Sequence, residues 1–285
     1  MSKFFCDTNS EIWYTKAEEL GINVIKMPYT LGNEMYFYDL GKETDCKTFF
    51  DAMRNGESAK TQALNMDEYI EYFEPVFASG EDIIYVTFSQ SMSGTFNSMR
   101  LAIDSLKEKY PERKITVVDS GSISCGAGKM IEEAAKLHNS GASDEEVVAF
   151  IERIKKKVPI YFTVSDLKYL VRGGRLSAVA GAVGTLLNLK PIIGVDENGK
   201  LTSLAKVNGR KKAIHTLVEK LTVDNFDDNH SIILLHADSE ADVEIMKNLI
   251  LQKYPSAKIE IQIVGPVVGA HCGPDTLGIV FLCKD

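Results

Sequence analysis

Residues 83–96 read IIYVTFSQSMSGTF. The first half is β-branched and aromatic, which is typical of a buried strand, and the second half has the hydroxyls and glycine of a turn. The stretch predicts a strand-to-helix corner that brings Ser89, Ser91, Ser93 and Thr95 to a helix start. A helix N-terminus offers unpaired N–H groups and a positive dipole end, which suit an anionic oxygen. The residues alone leave open whether this is an anion-binding site or an ordinary helix cap with spare serines.

The first half of the chain alternates strand-like and helical patterns, which predicts a mostly parallel sheet covered by helices. The predicted strands are residues 3–6, 23–27, 83–88 and 115–118, and the predicted helices are residues 45–54, 66–77, 98–109 and 127–139. Pro75 is expected to end or bend the second helix. Ser143 begins a capping box, which predicts a further helix that runs to the basic cluster at residues 153–157.

The pattern changes near residue 158, where we place a domain boundary. A strand, a short helix, the RGGR turn at 172–175 and an Ala-, Gly- and Leu-rich helix at 177–188 follow. A β-hairpin with its turn at 197–199 comes next, and then strands at 231–236, 259–264 and 278–283 with helices between them. The sequence thus predicts a two-domain α/β protein: a mostly parallel N-terminal α/β domain, residues 1–158, and a C-terminal α/β domain with a mixed or antiparallel sheet, residues 159–285.

Composition narrows the class of protein. The chain has 285 residues and a net charge of -8, which argues against a nucleic-acid partner. Its five cysteines are scattered and odd in number, which favours reduced core thiols over disulfides, and no metal site is expected. The first ten residues resemble no signal peptide and no later apolar run is long enough to span a bilayer, so we expect a cytoplasmic location.

Three further segments are candidates for the same site. Residues 60–63, KTQA, predict a loop that places the Thr61 hydroxyl, with a plain cap region as the alternative. The turn at 172–175 offers Arg172 and Arg175 for an anion, or is simply a solvated basic turn. In residues 265–274, GPVVGAHCGP, two Gly/Pro turns bracket His271, and such rigid turns favour a presented imidazole over core packing.

Taken together, these motifs resemble the DegV family, bacterial fatty-acid-binding proteins that include the acyl-carrying subunits of fatty acid kinase. The resemblance covers nearly the whole chain. It rests on the segments FFCDTNSEI, SQSMSGTFNSMRLA, VVDSGSISCGAGKMIEEAA, LKYLVRGGRLS, LLNLKPIIGVDENGKL and GPVVGAHCGPDTLGI. The sequence departs from the family pattern in three places: Asp275 replaces a common Gly, Asn208 stands where many members have Arg, and Gln62-Ala63 replaces the more usual Ser-Gln-Pro after Thr61, which is itself kept.

The resemblance implies a buried long-chain fatty acid, such as palmitate or oleate, whose carboxylate is held by loop hydroxyls. Thr61 and Ser93, with Gly94, would bind the carboxylate, His271 would lie near it, and Arg175 would support it or face the kinase. The partner would be a separate fatty acid kinase catalytic subunit, membrane contact would be transient at most, and no cofactor is implied. The segment SAVAGAVGTLLNL, with Phe162, Leu167 and Leu170, is a plausible lining for the tail.

Two other functions remain open from the sequence. An acyl or thioester hydrolase would use Ser93 as nucleophile and His271 as base, although Ser93 lacks the flanking glycines of a nucleophile elbow. A protein related to dihydroxyacetone kinases would bind a triose instead of a lipid.

Overall fold

The computed structural model describes residues 2–175 and 188–284. Its strands are β1 (Lys3–Asp7), β2 (Asn23–Ile25), β3 (Pro28–Leu31), β4 (Glu34–Phe37), β5 (Ala59–Thr61), β6 (Ile83–Thr87), β7 (Ile115–Asp119), β8 (Ile160–Thr163), β9 (Leu189–Val195), β10 (Leu201–Asn208), β11 (Ile232–His236), β12 (Ile259–Ile263) and β13 (Leu277–Val280). Its helices are α1 (Tyr14–Glu19), α2 (Cys46–Arg54), α3 (Met66–Ala78), α4 (Thr95–Lys109), α5 (Ser124–Asn139), α6 (Asp144–Ile154), α7 (Lys168–Arg172), α8 (Arg210–Val223), α9 (Glu240–Lys253) and α10 (Pro266–Cys272). The protein is a mixed α/β fold.

The predicted parallel sheet is present, with strand order β2-β1-β6-β7 and every pair parallel. All five residues of β6 are buried, as expected for a central strand covered on both faces. Because parallel strands end at the same edge, the loops after β1 and β6 lie side by side at the carboxyl edge of the sheet.

The helices predicted in the first half of the chain are present, although some begin or end at other residues than predicted. Helices α4 and α5 begin three residues earlier than predicted, and α3 continues through Pro75 to Ala78 instead of ending there. The capping boxes of α3 and α6 form as the sequence indicates, with Asn65 and Ser143 as the caps. No helix within the two described ranges is both long and apolar enough to cross a bilayer.

A three-stranded antiparallel sheet, order β4-β3-β5, was not predicted. Its strands have only three or four residues, too few to show a clear alternation of polar and apolar positions. The prediction that Thr61 lies in a loop was therefore wrong, because Thr61 ends β5 and pairs with Tyr29 of β3.

The C-terminal half contains the expected mixed sheet, order β10-β9-β8-β13-β11-β12. Only β11 and β12 are parallel neighbours. The predicted hairpin is formed by β9 and β10, and Gly199 in its turn has a positive φ of 72°. Of the helix predicted at 177–188, residues 177–187 lie outside the described residues.

The parallel sheet uses no residue beyond 119, and the mixed sheet starts at 160. The main hydrophobic cluster nevertheless joins side chains of both sheets, such as Ile84 of β6 and Leu235 of β11. A second cluster lies between the mixed sheet and helices α8 and α9. The division into domains 1–158 and 159–285 stays a prediction.

Candidate functional site

The corner after β6 has the predicted strand-to-helix form. A short 3-10 turn, Gln90–Met92, separates the buried strand from Ser93, and Gly94 is the N-cap of α4. As a glycine, this N-cap residue has no side chain to accept a hydrogen bond from the helix. A Cβ at Gly94 would meet no atom within 4 Å, so this glycine leaves open space at the helix start.

Two of the four corner hydroxyls hold the β9–β10 hairpin in place. The Ser89 hydroxyl donates to the Gly199 carbonyl at 2.7 Å, and the Ser91 hydroxyl donates to the Asn198 carbonyl at 2.7 Å. The hairpin tip packs closely, because a Cβ at Gly199 would lie 2.3 Å from the Ser89 hydroxyl oxygen. Ser89 and Ser91 are therefore structural residues.

The other two corner hydroxyls, those of Thr95 and Ser93, differ in whether they can donate a hydrogen bond to a ligand. Thr95 accepts a hydrogen bond from the Leu64 N–H at 3.1 Å and pairs with the Tyr69 hydroxyl at 3.0 Å, deep in the core. Ser93 accepts only the N–H of Thr95, at 3.2 Å. Its own hydrogen has no acceptor within the described part of the chain, so Ser93 is the one corner hydroxyl free to donate to a ligand.

Thr61 and His271 are brought together, 2.8 Å apart between the threonine hydroxyl oxygen and Nε2. The prediction that His271 lies in a rigid loop was wrong, because it occupies the last turn of α10. The glycines and prolines on both sides of it are typical of turns, so the sequence did not indicate a helix here. Gly173 packs against the other side of the ring, since a Cβ there would lie 2.2 Å from Nδ1. Nδ1 is buried and has no hydrogen-bond partner among the described residues.

The imidazole is held in its neutral form. Burial, and then the positive charges of Arg175 and Arg172, lower the pKa of His271 to about 4. At neutral pH the ring can donate or accept one hydrogen bond at each nitrogen but carries no charge.

Arg175 supplies a half-buried positive charge. Its Nε donates to the Met92 carbonyl at 3.2 Å and its Nη1 to the Gly173 carbonyl at 2.5 Å. Burial lowers the pKa of Arg175 from its usual value, but an arginine stays charged at neutral pH. Among the described residues it forms no ion pair with a carboxylate, so its charge is available to an anion. Arg172 instead donates to the Ala59 carbonyl at 3.4 Å.

These polar groups are neighbours in the wall of a cavity with about 780 Å³ of space free of protein atoms, counting its opening, and we call this part of the wall its polar end. Thr61, Ser93, Arg175 and His271 all line it. Most of its remaining wall is apolar and includes Met27, Phe88, Ile160, Phe162, Leu170, Leu235, Val264, Val267 and Val268. Of the predicted tail-lining residues, Phe162 and Leu170 are in the wall, while Leu167 packs against the core and most of the 177–189 segment lies outside the described residues.

Sequence reasoning missed Asn9, Gln62 and Ser124, which also line the cavity. A signal for Asn9 was present in the DTNS run directly after β1, at the same sheet edge as the Ser93 corner. Buried Asp7 joins the two loops: one carboxylate oxygen accepts from the Asn9 N–H at 3.0 Å, and the other accepts from the Phe88 N–H at 3.3 Å.

Of the departures from the family pattern, Gln62 lines the cavity, whereas Asp275 and Asn208 do not. Asp275 has a positive φ of 62°, the conformation that glycine adopts most readily, and its carboxylate pairs with Arg54 at 2.7 Å. Arg54 also pairs with Asp238. The Asp275 loop is thus held by an ion pair instead of being displaced. Asn208 ends β10 and does not line the cavity.

The chain is similar to known proteins along nearly its whole length. The family model for DegV, described as uncharacterised proteins of the DegV family, matches residues 3–284. The chain belongs to the DegV family. A DegV domain-containing protein of Clostridium perfringens is 35% identical over 285 residues, which cover 99% of this chain and 98% of that protein.

Solved structures of DegV proteins have the same fold. DegV of Bacillus subtilis, described as a fatty acid binding protein, matches with a TM-score of 0.83 and 29% identity over 99% of each chain. The Streptococcus pneumoniae Fatty Acid Kinase (Fak) B3 protein, loaded with linoleic acid, matches with a TM-score of 0.82 and 25% identity over 100% of each chain.

Proposed function

We propose that this DegV protein binds a long-chain fatty acid, such as palmitate or oleate, in the cavity, with its carboxylate at the polar end. The observation that carries the proposal is the cavity itself: an apolar wall that ends at a free hydroxyl, a neutral imidazole and an arginine without a carboxylate partner among the described residues. The fatty-acid binding described for the B. subtilis and S. pneumoniae relatives supports it.

The tail supplies most of the affinity in this proposal. Burying a sixteen-carbon chain at ~0.8 kcal/mol per methylene gives about 12 kcal/mol before the costs of association. A neutral hydrogen bond at the head adds only about 1 kcal/mol. The hydroxyls of Thr61 and Ser93, with the N-terminus at Gly94 and the imidazole of His271, therefore mainly orient the carboxylate, and Arg175 balances its charge.

We propose further that the bound carboxylate is presented to a separate fatty acid kinase catalytic subunit. A carboxylate oxygen attacks the γ-phosphorus of the ATP that the kinase holds, an O–P bond forms, and the bond to ADP breaks. The carboxylate is already deprotonated, so the step releases no proton and needs no general base from this chain. Neutral His271 fits this role of orienting without accepting a proton. The chain would then be a cytoplasmic lipid carrier, not an enzyme, with no cofactor of its own and at most transient membrane contact.

The direct test is mass spectrometry of an organic extract of the freshly purified protein. We expect about one long-chain fatty acid per chain, or stoichiometric uptake of added palmitate or oleate. A protein that holds none and takes up neither acid would refute the proposal.

A Ser93→Ala variant tests the head-group contacts. Losing one hydrogen bond of about 1 kcal/mol should weaken palmitate binding about fivefold, measured by titration calorimetry. Phosphorylation by the kinase should fall more steeply than affinity, because a misoriented carboxylate attacks poorly. Ser98→Ala, which removes a hydroxyl from the same helix outside the cavity wall, is the matched control. Phosphorylation at the wild-type rate would remove Ser93 from the site.

The hydrolase alternative receives no support from the geometry. Within the described residues no hydrogen bond joins Ser93 to His271, whose Nε2 is paired with Thr61 instead. A histidine with its pKa lowered to about 4 is also a weak base. Turnover of a nitrophenyl ester that disappears in both Ser93→Ala and His271→Ala would restore that alternative.

A further inference from the structure

A second recess adjoins the cavity at its polar end, and we call it the vestibule. It shares Met92, Ser93, Arg175 and Leu201 with the cavity wall and adds Lys200 and Gly94. Unlike the cavity, it is mostly polar. A ligand head group at Ser93 therefore borders both the cavity and the vestibule.

Lys200 is placed there by the β9–β10 hairpin. The Lys200 N–H donates to the Asp196 carboxylate at 2.9 Å, and the Asp196 N–H donates to the Lys200 carbonyl at 2.8 Å, which closes the turn. The carbonyl of Gly199, the next residue toward the tip of the hairpin, accepts a hydrogen bond from the Ser89 hydroxyl. The Lys200 ammonium itself forms no ion pair with any described residue. The hairpin therefore fixes the backbone of Lys200, while its positive charge is available to an anion.

The proposed reaction changes the charge that this region must hold. A carboxylate carries one negative charge, whereas the acyl phosphate carries two on the phosphoryl oxygens, farther from the tail. The single positive charge of Arg175 balances the single negative charge of the substrate carboxylate. The product requires a second positive charge near Ser93, and the vestibule, which Ser93 and Arg175 also line, contains one in Lys200.

We infer that the vestibule binds the phosphoryl group of the acyl phosphate, with Lys200 and Arg175 as its cationic contacts. This inference rests on the proposed function and names its product-binding residues. In this inference Lys200, which lines the vestibule but not the cavity, discriminates between the two ligand states: it contacts the phosphoryl oxygens of the product and not the carboxylate of the bound acid.

The test compares palmitate with hexadecyl phosphate, a stable ligand with the same tail length and a phosphate head. Binding is measured by calorimetry at about pH 8, where the phosphate carries two charges. Lys200→Ala should leave palmitate affinity unchanged and weaken hexadecyl phosphate about fivefold. Lys200→Arg should keep both affinities. Lys206→Ala, on the exposed face of the same hairpin, removes an equal charge and serves as the control.

The outcomes separate this inference from the proposed function. Loss confined to hexadecyl phosphate in Lys200→Ala supports it. Equal effects on both ligands, no effect on either, the same loss in Lys206→Ala, or a wild-type protein that binds palmitate but not hexadecyl phosphate would overturn it and leave fatty-acid binding intact. A wild-type protein that binds neither ligand would overturn the proposed function itself.

Discussion

A Val268→Trp variant should bind palmitate about a hundredfold more weakly than the wild type while remaining folded. Val268 is half-buried and lines the cavity from α10. Because Val268 is itself part of the cavity wall, an indole at this position occupies part of the cavity. Excluding about four methylenes at ~0.8 kcal/mol each removes about 3 kcal/mol, or two orders of magnitude.

Titration calorimetry with decanoate and palmitate measures this effect. In the wild type the longer chain should gain affinity from its extra methylenes, and in Val268→Trp that gain should shrink. Val268→Leu is the control with a small change in volume, and urea unfolding verifies that both variants fold. An undiminished gain from decanoate to palmitate in a folded Val268→Trp protein would show that the tail lies elsewhere.

The fold was predictable where single segments carried strong local patterns. The buried run of β6, the capping boxes at Asn65 and Ser143, and the hairpin turn at Gly199 each contain enough residues of the right kind to determine their own structure. The short strands of the β4-β3-β5 sheet do not. Their structure depends on pairing between segments distant in sequence, such as Tyr29 with Thr61, and periodicity does not reveal such pairing.

The sequence predicted which types of residue line the site, but not which of them contact one another. The sequence placed hydroxyls at a helix start but could not distinguish Ser93 from Ser89 and Ser91, because their hydrogen-bond partners belong to a hairpin about 110 residues later. The contact between Thr61 and His271 joins residues 210 apart. Such contacts arise from tertiary packing, so they cannot be predicted from the order of the motifs along the chain.

Glu11 is a buried acid that sequence reasoning did not single out. It is only 1% exposed. Its two carboxylate oxygens accept from the Gly265 N–H at 3.0 and 2.9 Å, at the N-cap of α10, and one accepts from the Tyr38 hydroxyl at 3.3 Å. Glu11 thus holds one end of the helix whose other end carries His271.

Because burial outweighs these hydrogen bonds, it raises the pKa of Glu11 to about 8. An acid with a raised pKa binds its proton more tightly in the folded state than in the unfolded state. Its contribution to stability is therefore greatest below its unfolded pKa, about 4.5, and is lost as pH rises toward 8. The raised pKa of Asp7, about 6, means that most of its titration lies below about pH 6.5. The lowered pKa of His271, about 4, acts in the opposite direction, because its imidazole loses its proton near pH 6.5 in the unfolded state but is already neutral in the folded state.

We therefore expect the free energy of unfolding of the wild type to fall by about 1.5 kcal/mol between about pH 6.5 and 8, because the slope of ~1.4 kcal/mol per pH unit decreases as pH approaches the pKa of Glu11. Glu11→Gln, which keeps an acceptor for Gly265 but cannot ionise, should remove most of this fall. Urea unfolding at the two pH values measures this fall in the free energy of unfolding.

Glu34→Gln, at an exposed position on β4, is the matched control and should keep the wild-type dependence of stability on pH. A Glu11→Gln protein whose stability falls with pH as steeply as that of the wild type would show that Glu11 is already ionised at pH 6.5, because the N-terminus of α10 then stabilises its charge more than burial opposes it.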